Sequence, residues 1–410
     1  MDSITTWFLL VGAVMLLAAL GKGPLKKIPV SLPFLYLIIG VAIGPWGLAL
    51  LDVNMFDNAK LLEILTEIAV VISLLSAGLK LNPSWSHLKK SPIPLATTTM
   101  LLTISAVAAI GFFFLGLSMG AAILLGAIIA PTDPVLAGEV QVNDHDDTDQ
   151  LRYALTGEAG FNDGAAFPFV MLGLGLLGLH EIGEFGWYWF TIDLLWATFA
   201  GLGFGWLCGW GISRVASWMK ESTEQPVVTE ELLTLAMIGL SYGGALFIHS
   251  YGFLAVFASG VAMRFYSDSK EDESKHSGDL MKSVTSVNEQ VGQFMEVALV
   301  VLIGAVLANH WSVGTHWWLA IVLFFILRPV AVAIGLTFNK LDISKKSLIG
   351  FFGIRGIGSV YYLSYAIAHG FVSPDSELVA DVTFTVIAFS ILIHTNAASI
   401  IMSYYGRQKD

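Results

Sequence analysis

Two carboxylates and a carboxamide stand together in Thr156-Gly157-Glu158-Ala159-Gly160-Phe161-Asn162-Asp163-Gly164, inside a stretch that is otherwise apolar. If that stretch crosses a bilayer, each charge is expensive. An Asp at the bilayer centre is disfavoured by roughly 3 kcal/mol on insertion scales, so groups at that depth usually face a cavity or a partner. On a helix each residue turns the side chain by about 100°, which puts Glu158 and Asn162 on one stripe and Ala159 and Asp163 on the next. The spacing predicts that Asp163 faces water while Glu158 and Asn162 face a neighbouring helix. A purely structural pair at a helix contact is the alternative.

Two further polar sites interrupt apolar segments. Ala130-Pro131-Thr132-Asp133-Pro134 removes two backbone donors and is expected to unwind its helix in mid-membrane. Gly353-Ile354-Arg355-Gly356-Ile357-Gly358-Ser359 is a second breakable stretch with a charge in it. An unwound helix exposes partial positive charge at one half-helix amino end and partial negative charge at the other half's carboxyl end. Asp133 is expected to offset the first in its segment and Arg355 the second in its own. Arg328, about mid-span in the segment before the second break, then needs an anion, and Glu158 is the one left at similar depth.

The elements that must position these residues follow from composition. The chain is 55% hydrophobic and 13% charged, with a mean hydropathy of +0.73. That is about half the charge of an average soluble domain and predicts an all-α polytopic membrane protein. Thirteen apolar segments can be placed at about 5–21, 30–50, 60–80, 93–116, 119–141, 151–179, 187–214, 230–249, 251–266, 288–308, 316–339, 345–369 and 379–403. The first is followed by Lys22, Lys26 and Lys27 without a small-residue cleavage site, as expected for a retained span. Eighteen of the 21 basic residues fall in loops on one side or in the tail. That asymmetry predicts an outside amino terminus, an inside carboxyl terminus and an odd helix count. Trp187, Trp189, Trp311, Trp317 and Trp318 cluster at outer helix ends. The two breaks sit in the middle members of two three-segment sets that run in opposite senses. Such an arrangement points to a secondary transporter with inverted repeats and a midplane site. The single Cys208 excludes an intramolecular disulfide, and no Cys/His cluster has metal-site spacing.

Taken together, `GEAGFND`, `PTDP`, the Arg in the span before the second break and `GIRGIGS` resemble the monovalent cation/proton antiporter family, specifically the sodium/proton antiporters whose sixth helix carries an Asn-Asp pair. The resemblance spans the whole transmembrane region. It implies that Asp163 binds cation or proton, that Asn162 takes the place of the family Asn, and that Glu158 and Arg328 match the ion pair this Asn contacts. It also places Thr132 and Asp133 at the first crossing, with Thr132 supplying cation-binding oxygens. The implied fold has two crossed discontinuous helices in a core domain, about 93–179 and 316–403, moving against dimerisation helices at about 1–80 and 187–308. The implied partners are monovalent cations, protons, the lipid bilayer and a second copy of the chain. No cofactor and no nucleic acid are expected. The sequence departs from the family pattern at Ala159, where a Ser is common, and at Ser76, which stands where some members carry a carboxylate. Oxygens for a hard cation would then come from Asp163, Thr132, freed carbonyls, water, Ser76 or Glu67.

The expected activity is exchange of Na⁺ or Li⁺ for a proton, one for one, by alternating access in a cell membrane. The alternatives are potassium/proton exchange on the same machinery, an ion channel, which would need a continuous pore, and an intramembrane hydrolase, which would need a water-activating constellation. The remaining polar features are read as local. They are the acidic run Asn143–Asp149, Glu63, Glu67, Glu296 and His394, and a flexible loop at 267–278. The residues after the last segment are too few for a regulatory domain.

Overall fold

The computed structural model describes residues 3–21, 30–82, 85–142, 147, 149–221, 229–270, 275–311 and 316–407. Among them every regular element is helical. The first three segments become α1 (Ser3–Gly21), α2 (Leu32–Ile43) and α3 (Ala59–Lys80). They are followed by α4 (Pro92–Phe114), α5 (Met119–Ile129) and α6 (Gln150–Leu176). Next come α7 (Ala197–Glu221), entered through a π-helical stretch at Trp189–Trp196, then α8 (Glu230–Phe247), α9 (Gly252–Lys270) and α10 (Lys275–Leu307). The last set is α11 (Trp317–Gly335), the two half-helices α12 (Ile343–Phe351) and α13 (Ile357–Ala368), and α14 (Pro374–Tyr405).

Each of the thirteen apolar segments is therefore helical, and several differ in extent. The second ends at Ile43, where the chain turns. The fifth stops at Ile129 and does not resume as an α-helix. Ala130 still has α-helical dihedrals, but Pro131 and Pro134 bring no N–H to continue the ladder, and the chain runs irregularly to a single 3₁₀ turn at Gly138–Val140. The loop expected at 267–278 is short, because α9 continues to Lys270 and α10 begins at Lys275. Most of the acidic run at 143–149, together with Lys22, Lys26, Lys27 and Lys409, lies outside the described residues. Asp149 is described, and it caps α6: its carboxylate accepts the N–H groups of Leu151 and Arg152 at 2.8 and 3.0 Å.

Six of these helices are long and apolar enough to cross a membrane. Large apolar side chains on α1, α4, α7 and α8, among them Phe8, Phe113, Phe114, Phe199, Leu207 and Leu232, are exposed. In water such a surface would be a liability, whereas in a bilayer it is the lipid face. Trp187 and Trp317 are exposed as an interfacial belt requires, but Trp189 and Trp311 are used internally. The Trp189 indole donates to the Pro168 carbonyl at 2.6 Å, and Trp311 packs edge-on to Trp46.

Packing sorts the helices into two groups. Helix α5 packs on α4, α6, α13 and α14, and α11 packs on α12 and α14. The other group centres on α9, which packs against α3, α7 and α8, with α10 lying along α2 and α3. The groups meet where α3 runs beside α13 and where α6 runs beside α3 and α9. Without a hydrophobic force between helices in lipid, close approach rests on small residues. Gly205 and Gly209 on α7 press on the α9 backbone, where added Cβ atoms would stand 2.0 and 2.2 Å from the carbonyl oxygens of Ala255 and Ser259. Gly211, two residues on, has open space at the same position. Gly209→Val should therefore lower thermal stability by about 1–3 kcal/mol through overpacking, while Gly211→Val leaves it unchanged. Melting curves of the two purified variants check this, and equal effects would show that the α7–α9 contact is not the cause.

Candidate functional site

The two irregular segments cross at the centre of the α4–α6 and α11–α14 group, and their exposed backbone is satisfied across the crossing. The Asp133 N–H donates to the Ile354 carbonyl at 2.8 Å. Asp133 Oδ1 accepts the N–H groups of Val135 and Leu136 at 2.7 and 3.3 Å, and Oδ2 accepts that of Gly358 at 3.2 Å, at the first turn of α13. Arg355 donates from Nε to the Ile129 carbonyl at 3.1 Å, from Nη2 to that of Ala130 at 3.4 Å, and from Nη1 to that of Gly353. Compensation is thus reciprocal: each charge serves its own segment and also the opposing helix end. The sequence predicted the signs and missed the exchange, because register between segments over 200 residues apart is a tertiary fact. Gly356 is required at the crossing, since a Cβ there would stand 2.6 Å from Asp133 Oδ2.

Glu158 and Arg328 are both buried and pair bidentately, with Nη2–Oε2 at 2.7 Å and a second bond from Nη1 to Oε1. Arg328 directly follows a π-helical turn at Leu323–Leu327 and also reaches the Ile349 carbonyl at 3.3 Å. Asn162 does not join this pair. Its amide donates to Thr132 Oγ1 at 2.7 Å and to the Thr132 carbonyl at 3.1 Å, tying α6 to the first break.

Asp163 is 1% exposed, and neither carboxylate oxygen makes a hydrogen bond of good geometry, the Tyr362 hydroxyl being the donor close by. The expectation that it faces water does not hold in this state. Phe161 packs against Phe257 of α9 at a ring distance of 4.8 Å, and Phe167, one turn beyond Asp163, packs among Tyr251, Phe253 and Tyr362. The carboxylate lies beside α13, where a Cβ on Gly358 would be 3.5 Å from Oδ1, and the Tyr362 hydroxyl donates to the Asp163 carbonyl at 2.8 Å. Asn162 Oδ1 is a further buried acceptor without a partner. Arg355 and Arg328 are otherwise engaged, so the site presents a carboxyl group without a cationic partner, together with acceptor oxygens.

Several expected ligands lie elsewhere. Ser76 is half-buried on α3 and makes no hydrogen bond to this site. Glu67 is held by the hydroxyls of Tyr242 and Tyr361. Glu63 pairs with Lys60 at 2.9 Å. Glu296 lines a cavity of about 520 Å³ with Tyr36 and Gln293, opposite Val135, Leu136 and Glu139 of the segment after the first break. His394 packs between Phe324 and Phe351 and bonds Ser390 Oγ at 3.2 Å. Ser390 in turn accepts the Arg355 N–H at 2.7 Å. Tyr362, Ser390 and His394 carry no chemical motif, and only packing brings them to the crossing. Among the described residues no group of three or more His, Cys, Asp or Glu could hold a metal ion.

The family described as sodium/hydrogen exchanger, transmembrane, matches residues 12–403. The chain belongs to the sodium/hydrogen exchanger family. The exchanger fold is also that of the sodium proton antiporter MjNhaP1 from Methanocaldococcus jannaschii, whose structure at pH 8 superposes with a TM-score of 0.71 over 96% of this chain and 100% of that one, at 21% identity. Similar sequences include the Na(+)/H(+) antiporter ApNhaP of Aphanothece halophytica, 30% identical over 55% of this chain, and the K(+)/H(+) antiporter NhaP of Alkalimonas amylolytica, 24% identical over 96% of it. The chain spans 42% and 65% of the lengths of those two exchangers.

The buried pair gives a direct test. Glu158→Gln or Arg328→Met alone leaves a buried charge without its partner and should cost about 3–5 kcal/mol, while the double variant should be milder. A thermal-stability double-mutant cycle measures the coupling, and strict additivity would mean that the pair contributes nothing as a pair.

Proposed function

We propose that this chain is an antiporter exchanging Na⁺ or Li⁺ for a proton, one for one, with Asp163 as the shared binding group. The supporting observation is the Asp163 carboxyl group, sealed from solvent, with no cationic partner and only the Tyr362 hydroxyl as a donor close by. A bare carboxylate at that depth costs several kcal/mol. The α6 region therefore changes sides only when a proton or a monovalent cation neutralises Asp163, and the two ions compete for one place. Asn162 orients the neighbouring backbone through Thr132, and Asn162 Oδ1 and freed carbonyls supply further oxygens. Thr132 Oγ1, although engaged by Asn162, keeps an acceptor lone pair for the ion.

In this reading the helices at about 93–179 and 316–403 form the moving core, and those at about 1–80 and 187–308 the scaffold of a homodimer. The amino terminus lies outside and the carboxyl terminus inside, in a cell membrane. The cavity beside Val135 and Glu139 then opens toward the inner face. Potassium is the second candidate ion. One similar protein over nearly the whole chain is named a K(+)/H(+) antiporter, and Ala159 and Ser76 supply no carboxylate and one fewer hydroxyl near the site. Flux into proteoliposomes with Na⁺, Li⁺ and K⁺ gradients, read by a trapped pH dye, distinguishes the ions.

Asp163→Asn should abolish exchange while the protein remains folded, because a carboxamide neither takes up nor releases a proton. Proton flux persisting in that variant under a Na⁺ gradient would remove Asp163 from the role. Exchange should also be insensitive to voltage, since one carboxylate alternating between two monovalent ions returns the same charge on both legs. An unbalanced charge would contribute about 2.3 kcal/mol per 100 mV. A potassium diffusion potential imposed at fixed ion gradients should leave the null point of flux in place, and a shift would mean that a second titrating group takes part.

A further inference from the structure

Helix α3 is an apolar span that nevertheless carries two carboxylates one turn apart, Glu63 and Glu67. Neither serves the crossing. An intramembrane carboxylate is costly enough to require a partner or a role. Glu67 has partners: its Oε1 accepts the hydroxyls of Tyr242 on α8 and of Tyr361 on α13, the latter at 3.0 Å. Glu63 is only half accounted for. One oxygen meets Lys60, whose own side chain is 67% exposed, while Oε2 is buried without a hydrogen-bond partner in a residue that is 5% exposed.

The groups facing this pair are mostly oxygens. Tyr242 and Tyr365 both lie within electrostatic reach of Glu63 and Glu67, and Asp193 lies within reach of Tyr365. The cationic side chain beside the pair is Lys60, and the His180 imidazole stands 2.9 Å from Asp193. If the only role here were to bridge α3, α8 and α13, Glu67 alone would suffice. A second carboxylate at i−4 adds like-charge repulsion and gives the bridge nothing. The pair makes sense when something positive and dehydrated comes between them; carboxylate and phenolic oxygens are hard donors suited to a metal cation, and the antiporter reading makes that cation monovalent.

Position links this pair to Asp163. Tyr361, which caps Glu67, directly precedes Tyr362, which holds the Asp163 carbonyl. We propose that Glu63 and Glu67 form a second, weaker site for a monovalent cation between the membrane face at the start of α3 and Asp163, with the Tyr361 and Tyr242 hydroxyls occupying Glu67 in the state seen here. The proposal rests on the reading of the chain as a cation antiporter. In that cycle, movement of α13 with the core would release Glu67 from Tyr361 as Asp163 turned toward the same face.

Binding of ²²Na⁺ to the purified full chain, read by scintillation proximity at alkaline pH, tests this without requiring transport. Asp163→Asn should keep a saturable signal that unlabelled Na⁺ displaces, and adding Glu63→Gln and Glu67→Gln should remove it. In the Asp163→Asn background, Tyr361→Phe removes the competing donor and should tighten the remaining site about five-fold, a change on the scale of one modest hydrogen bond. If the wild type binds Na⁺ and Asp163→Asn abolishes all of it, the second site does not exist while the antiporter reading stands. If the signal survives loss of all three carboxylates, the assignment to Glu63 and Glu67 is wrong. Absence of Na⁺ binding in the wild type would overturn the second site and the Na⁺ form of the antiporter reading, and a size-exclusion profile matching the wild type establishes that each variant is folded.

Discussion

Hydrocarbon offers no hydrogen-bond partners, so a backbone broken in mid-membrane must find every partner within the protein. The rest of this structure depends on how that demand is met where Ala130–Pro134 crosses Phe352–Gly356. Asp133 gathers N–H groups from its own turn and from the first turn of α13, and Arg355 gathers carbonyls from the end of α5 and from its own loop. Because the two charges are exchanged across the crossing, the segments hold each other in register. The Gly356 close approach and the Ser390 hydroxyl on the Arg355 N–H tighten the same junction.

Once those charges are committed, the electrostatics of the α6 site follow by elimination. Arg355 is spent on carbonyls and Arg328 on Glu158, leaving Asp163 a carboxyl group without a cationic partner. A structural role does not require such a group, and a neighbouring cationic side chain would defeat competition between ions. The Glu158–Arg328 pair supplies rigidity with no net charge, and Asn162 spends its amide on Thr132. What remains for an ion is a single negative charge framed by oxygens, consistent with a fold shared with a solved sodium proton antiporter and with relatives named for Na⁺ and for K⁺. Few of the framing oxygens belong to dedicated side chains.

The sequence by itself determined the class, the apolar segments that become helices and which charged residues lie within them. Hydropathy and the energetic penalty on buried charge act locally, so thirteen apolar segments, two breakable stretches and Glu158, Asp163 and Arg328 are visible without a structure. The pairing of Glu158 with Arg328 could also be reached, since each is intolerable at that depth without the other. Only the tertiary structure decided how far the helices extend and which partner each polar group takes. Helix α5 ends at Ile129, and beyond its prolines the chain runs through turns to the 3₁₀ turn at Gly138–Val140, an extent that hydropathy does not reveal. Asn162 turns to Thr132, and Glu67 turns to Tyr242 and Tyr361, because those groups come from segments remote in the chain whose relative rotation no local periodicity fixes. Whether Asp163 meets water is likewise set by the aromatic packing of Phe161 and Phe167 against α9 and α13, a property of the assembled helices and of the state they occupy.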